Sequence, residues 1–74
     1  MPKLKILSGK DVCKILFQYG FIKVRQKGSH IFLQKKELDT TITIPIPDHD
    51  ELKIGTLAGI IKQSGLSRSI FETD

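Results

Sequence analysis

The spacing of apolar side chains changes character along this chain, and each change marks an element. From Ser8 to Gly20 the period is helical. Val12, Ile15, Leu16 and Tyr19 fall at i, i+3, i+4 and i+7, Cys13 and Phe17 widen the stripe, and Lys10 and Lys14 share the wet face. Ser8 stands where an N-cap belongs, and Asp11, three residues on, suits the acidic position of a capping box. Gly20 is a natural C-terminal stop.

The period then drops to two. "FIKVRQ" and "SHIFLQKK" each alternate, which predicts a hairpin. With Lys27 and Gly28 as a two-residue turn, Gln26 pairs with Ser29, Arg25 with His30, Val24 with Ile31, Lys23 with Phe32, and Ile22 with Leu33. Directly opposed residues share a face. Ile22, Val24, Ile31 and Leu33 then form an apolar face, and Lys23, Arg25, His30, Phe32 and Gln34 the other. Lys27 is a poor residue for the positive φ of a type I′ turn, so a longer, bulged connection is the alternative.

"TTITIPI" predicts a third strand with Ile42, Ile44 and Ile46 inward, and Pro45 and Pro47 place it at a sheet edge. "PDHDELKIG" reads as a loop. "GTLAGIIKQSGLS" predicts a second helix, with Leu57, Ile60 and Ile61 buried and Gly65 as its stop. A short turn capped by Ser67 follows. The order is α-β-β-β-α, an α+β fold: a three-stranded antiparallel sheet with two helices on one face and the other face open.

Composition narrows the class. A chain of 74 residues makes one domain, 1–74, near the lower limit for a core without staples. Its one cysteine, Cys13, allows no internal disulfide, and no Cys/His cluster has zinc spacing. The lone cysteine and the absence of a signal-peptide pattern point to a reducing cytoplasm. No apolar run approaches the ~20 residues of a membrane span. A net charge of +4 and a pI near 9.4 point to an anionic partner.

The open face holds cations, an imidazole and an aromatic ring. Cations bind phosphate, aromatic rings stack on unpaired bases, and histidine exchanges protons near neutral pH. RNA cleavage without a metal needs this set: a base takes the 2′-hydroxyl proton, the oxygen attacks phosphorus, and cations stabilise the added charge. The plainer reading makes His30 a tolerated turn residue, Phe32 a partner contact, and Lys23 and Arg25 a solvated surface.

The blocks "SGKDVCKILFQYGF", "RQKGSHIF" and "IPDHDELKIGTLAGIIKQSGLSRSIF", spanning Ser8 to Phe71, resemble the HicA-type toxins (the YcfA-like family), small mRNA interferases of type II toxin–antitoxin modules. The resemblance implies a double-stranded-RNA-binding-domain-like fold, mRNA cleavage without a metal or cofactor, and a HicB-type antitoxin that masks the catalytic residue. It assigns catalysis to His30, which follows Gly28 and Ser29.

The remaining candidates carry two readings each. Gly28 serves the turn and leaves a phosphate unobstructed; Ser29 orients His30, or is a plain turn residue. Arg25 and Lys23 bind phosphate or only dress the surface, and Lys27 can track an RNA backbone from the hairpin tip. Phe32 offers a base platform. Thr56, at the start of the second helix, either borders a phosphate site or caps the helix. His49 is a second acid or base, or a loop residue with no part in catalysis. Asp48, Asp50 and Glu51 read as solvated, so no metal is assigned. The rival to a ribonuclease is a non-catalytic RNA-binding module of the same fold. A third reading is a toxin-like subunit that acts only through its partner.

Overall fold

The structure, a computed structural model that describes residues 3–73, begins with a short strand β1 (Lys3–Leu4) and a helix α1 (Gly9–Gln18). Ser8 caps α1 as its sequence suggests. Its Oγ accepts the Asp11 N–H at 3.0 Å and its own N–H donates to Asp11 Oδ2 at 3.1 Å, so both halves of the capping box form. Gly20, at φ +97°, turns the chain out of the helix. Val12, Cys13 and Leu16 are buried, whereas Phe17 and Tyr19 stay partly exposed.

Three antiparallel strands follow, β2 (Ile22–Lys27), β3 (His30–Lys36) and β4 (Thr41–Pro47), in the order β2-β3-β4. Helix α2 (Ile54–Ser64), a 3₁₀ turn (Arg68–Phe71) capped by Ser67, and β5 (Glu72–Thr73) complete the chain. β1 and β5 pair antiparallel, Leu4 beside Glu72, and the Lys5 N–H donates to Phe71 O at 2.8 Å. This clasp was not anticipated, because two-residue strands carry no period. Both helices pack on β4, and α1, α2 and the inner sheet face share one core that includes Leu16, Phe21, Leu33, Ile44, Leu57 and Phe71. Among the described residues, no helix is long and apolar enough to cross a membrane.

Two sequence expectations need correction. The hairpin turn is Gly28-Ser29, not Lys27-Gly28: Gly28 takes φ +58° and Lys27 stays in the strand, opposite His30. Gln26 therefore faces Ile31, Arg25 faces Phe32, Lys23 faces Leu33, and Ile22 faces Gln34, with one extra residue, Val24, at a bulge. The bulge shifts β2 by one residue, so Lys23 and Gln26 lie on the helix side. Ile22 and Val24, expected inward, are 63% and 43% exposed. Thr56 is not the cap of α2. Lys53 is, without a side-chain bond, and Thr56 is the third helical residue.

Pro45 and Pro47 do lie on an edge strand, where their missing N–H groups cost no ladder bond. The β4 end is also where α1 docks. The Gly9 N–H donates to His49 O at 2.9 Å, and a Cβ at Gly9 would collide with the Pro47 carbonyl oxygen.

Candidate functional site

His30 is the first residue of β3 and is exposed. Strand alternation puts it on the open face with Phe32 and Gln34. The turn that presents it is held from three directions. Gly28 takes the left-handed backbone, and nothing stands within 4 Å of where its Cβ would be. Gln26 Nε2 donates to the Gly28 carbonyl at 3.2 Å. The Asp48 N–H donates to the Ser29 carbonyl at 2.6 Å, which ties the turn to the end of β4. Gln26 was not among the sequence candidates, because alternation does not show a side-chain bond to a turn carbonyl.

The cations around His30 differ from expectation. Lys27 is its cross-strand partner, while Arg25 pairs with Phe32 one step further along. The Arg25 guanidinium carbon lies 4.6 Å from the Phe32 ring centroid, a cation–π contact that holds the cation against the ring. Among the described residues, the ion pairs are Lys35–Glu37 and Arg68–Glu72, so neither Arg25 nor Lys27 is neutralised by a carboxylate. Lys23 is not part of this face. Its Nζ donates to Gln26 Oε1 at 3.0 Å, and it lines a groove on the helix side with Lys10, Lys14, Phe17 and Cys13. Burial pushes the Cys13 thiol up, and the Asp48 charge adds to the effect; this thiol is a core group, not a nucleophile.

His49 and Thr56 meet in a second place. Both line a cleft of about 240 Å³ with Pro47, Glu51, Leu52 and Lys53. Pro47 is the β4 partner of His30, so this cleft adjoins the histidine face at the same end of the sheet. Among the described residues, no three His, Cys, Asp or Glu side chains converge as a metal-ion cage. The arrangement thus offers an accessible imidazole, unpaired cations beside it, an arginine-backed aromatic ring and a turn with open space over its glycine.

Two comparisons bear on what this arrangement belongs to. No curated protein matches the chain. A family model described as "HicA toxin of bacterial toxin-antitoxin" matches residues 9–66, from the first residue of α1 through the whole β2-β3-β4 sheet to just past α2. With the sheet, both helices and His30 inside that match, the chain belongs to the HicA toxin family of bacterial toxin–antitoxin systems.

Proposed function

We propose that this toxin is an mRNA interferase, an endoribonuclease that cuts RNA without a metal ion and uses His30 as its proton-transfer group. The observation that carries the reading is the exposed imidazole of His30, on a turn braced by hydrogen bonds from Gln26 and Asp48, beside cations that no carboxylate neutralises. His30 removes the proton from a ribose 2′-hydroxyl. The 2′-oxygen attacks the adjacent phosphorus, the 5′-oxygen of the next nucleotide leaves with a proton, and a 2′,3′-cyclic phosphate remains. Lys27, across from His30, stabilises the charge that grows on the phosphoryl oxygens, and Arg25 binds a flanking phosphate. Phe32, backed by Arg25, supports a base, and Gly28 and Ser29 give a phosphate room and a hydroxyl contact. His49 is the candidate acid for the leaving oxygen, with Thr56 beside it.

The natural partner in this reading is a HicB-type antitoxin that covers the His30 face, and the site of action is the cytoplasm. Cleavage of end-labelled single-stranded RNA in excess EDTA, wild type beside His30→Ala, tests the proposal. Cutting by the wild type alone, leaving cyclic or 3′-phosphate ends, supports it. Equal cutting by both moves the chemistry away from His30. Binding without cutting by either leaves a non-catalytic RNA-binding module.

A further inference from the structure

We infer that the far end of the same sheet face, the cleft between Ile22, Gln34 and Lys36, is a nucleobase-reading subsite for the RNA strand held at His30. This rests on the ribonuclease reading and adds to it a residue that sets which sequences are cut. His30, Phe32, Gln34 and Lys36 are alternate residues of β3 and share the open face. Each step of two residues advances ~6.8 Å along the strand, close to the phosphate-to-phosphate step of an extended RNA chain. A strand lying along β3 with its scissile phosphate at His30 therefore sets one nucleotide over Phe32 and Arg25 and the next over Gln34, ~13–14 Å from the histidine.

The cleft at that second step has the parts a base needs. Gly20, Ile22, Gln34 and Lys36 line about 370 Å³. Ile22 pairs with Gln34 across the sheet and is 63% exposed, an apolar surface with no protein neighbour to cover it. Gly20 contributes no side chain, which keeps one wall low. Gln34 is held in place: its Nε2 donates to Thr43 Oγ1 at 3.2 Å, leaving the amide oxygen and the second N–H for a ligand. A fixed amide presents one donor and one acceptor, the pattern that reads base edges on unpaired nucleotides. Lys36 ends the row and has no carboxylate partner among the described residues, so it can take the next phosphate.

Two measurements test this. The first maps cut sites in a randomised RNA pool. The wild type should show a base preference at one position two nucleotides from the cut. Gln34→Ala should flatten that position and leave the preference beside the cut. Gln34→Glu reverses the bond, the Thr43 hydroxyl donating to the carboxylate, and leaves no N–H, so the preference should move several-fold towards bases with an exocyclic amino group. No preference at that position, or one indifferent to both variants, overturns the subsite. The second measurement does not require cutting. A 2′-O-methyl RNA, which has no free 2′-hydroxyl, is titrated into the isotope-labelled protein. Shifts of the Ile22 and Lys36 amides and the Gln34 side-chain amide support the subsite. Shifts confined to residues 25–32 overturn it. A wild type that shifts at Gln34 but never cuts refutes the ribonuclease reading and leaves the base contact standing.

Discussion

Replacing Gly9 with alanine should destabilise the fold, although alanine is the better helix former. The reason is local. Gly9 opens α1 against the end of β4, and an added Cβ would fall inside the Pro47 carbonyl oxygen, 3.0 Å from Pro47 C and 3.1 Å from Asp48 Cα. All three are backbone atoms, so no side chain can swing aside. Either α1 or the segment 47–49 must retreat. Overpacking of this kind costs ~1–3 kcal/mol. Retreat also stretches the Gly9 N–H bond to His49 O, now 2.9 Å, worth ~1 kcal/mol. Helix propensity returns at most ~1 kcal/mol. The net loss is about 1–3 kcal/mol, against a total of about 4–11 kcal/mol for a chain of this size.

Thermal and urea unfolding followed by circular dichroism read this directly, with a thermal midpoint drop of roughly 5–25 °C. Gly59→Ala is the matched control. Gly59 lies exposed in α2 with nothing within 4 Å of its Cβ position, so alanine there should stabilise by about 0.5–1 kcal/mol. A Gly9→Ala loss below 1 kcal/mol, or the same sign at both glycines, would refute the packing argument. In the same sample, amide shifts at Asp48 and Ser29 should report whether the retreat reaches the His30 turn, since those two residues are hydrogen-bonded.

Further outcomes follow from the cap and the core. The bonds from the Ser8 N–H and hydroxyl hold the Asp11 carboxyl below its ordinary value. Folding favours the ionised form, so this contribution is present above the ordinary carboxylate range and lost as pH falls through the lowered value. Asp11→Asn should remove that acid-side slope from urea midpoints measured across pH, and an unchanged slope would assign it to other carboxylates. Ser8→Ala should cost ~1 kcal/mol in the same assay. Cys13, buried and pushed up, should resist a thiol reagent at neutral pH in the native protein and react at once in denaturant; fast native labelling would contradict its burial.

The two helices were legible because each carries its own signals: the Ser8–Asp11 box, the glycine stops at Gly20 and Gly65, and stripes at helical spacing. The strands were legible as strands, and Ile44 and Ile46 point inward as their alternation requires. The register of β2 was not, because two tertiary demands on it differ by one residue. At one end Phe21 is driven into the core, 1% exposed, which sends Ile22 outward and Lys23 to the helix side. At the other end Gly28 takes the left-handed turn position, which pairs Lys27 with His30 and sends Gln26 to the helix side. The extra residue at Val24 absorbs the difference. Alternation in "FIKVRQ" favours the phase with Ile22 and Val24 inward, and the burial of Phe21 and the Gly28 turn override it in the packed molecule. Thr56 was misplaced for a related reason: α2 starts at Ile54, two residues before Thr56, with no side-chain cap to announce it.

Under the proposed ribonuclease function, that register has a consequence that separates it from the simpler hairpin. Were Arg25 opposite His30, it would be the cation nearest the reacting phosphate, and Lys27 would sit in the turn. In the observed pairing Lys27 stands directly across from His30, within ~5.5 Å between Cα atoms, while Arg25 is two pairs further on and held over Phe32. Lys27→Ala should therefore lower kcat for RNA cleavage by ~100–1,000-fold, the scale of one lost charge stabiliser. Arg25→Ala should act mainly on KM, because it removes the backing of the base platform and a phosphate contact. Single-turnover kinetics at saturating RNA separate the two. If Arg25→Ala instead carries the kcat loss and Lys27→Ala leaves kcat untouched, Arg25 is the group at the phosphate. The bulge at Val24 would then have to open in the RNA complex to bring it there.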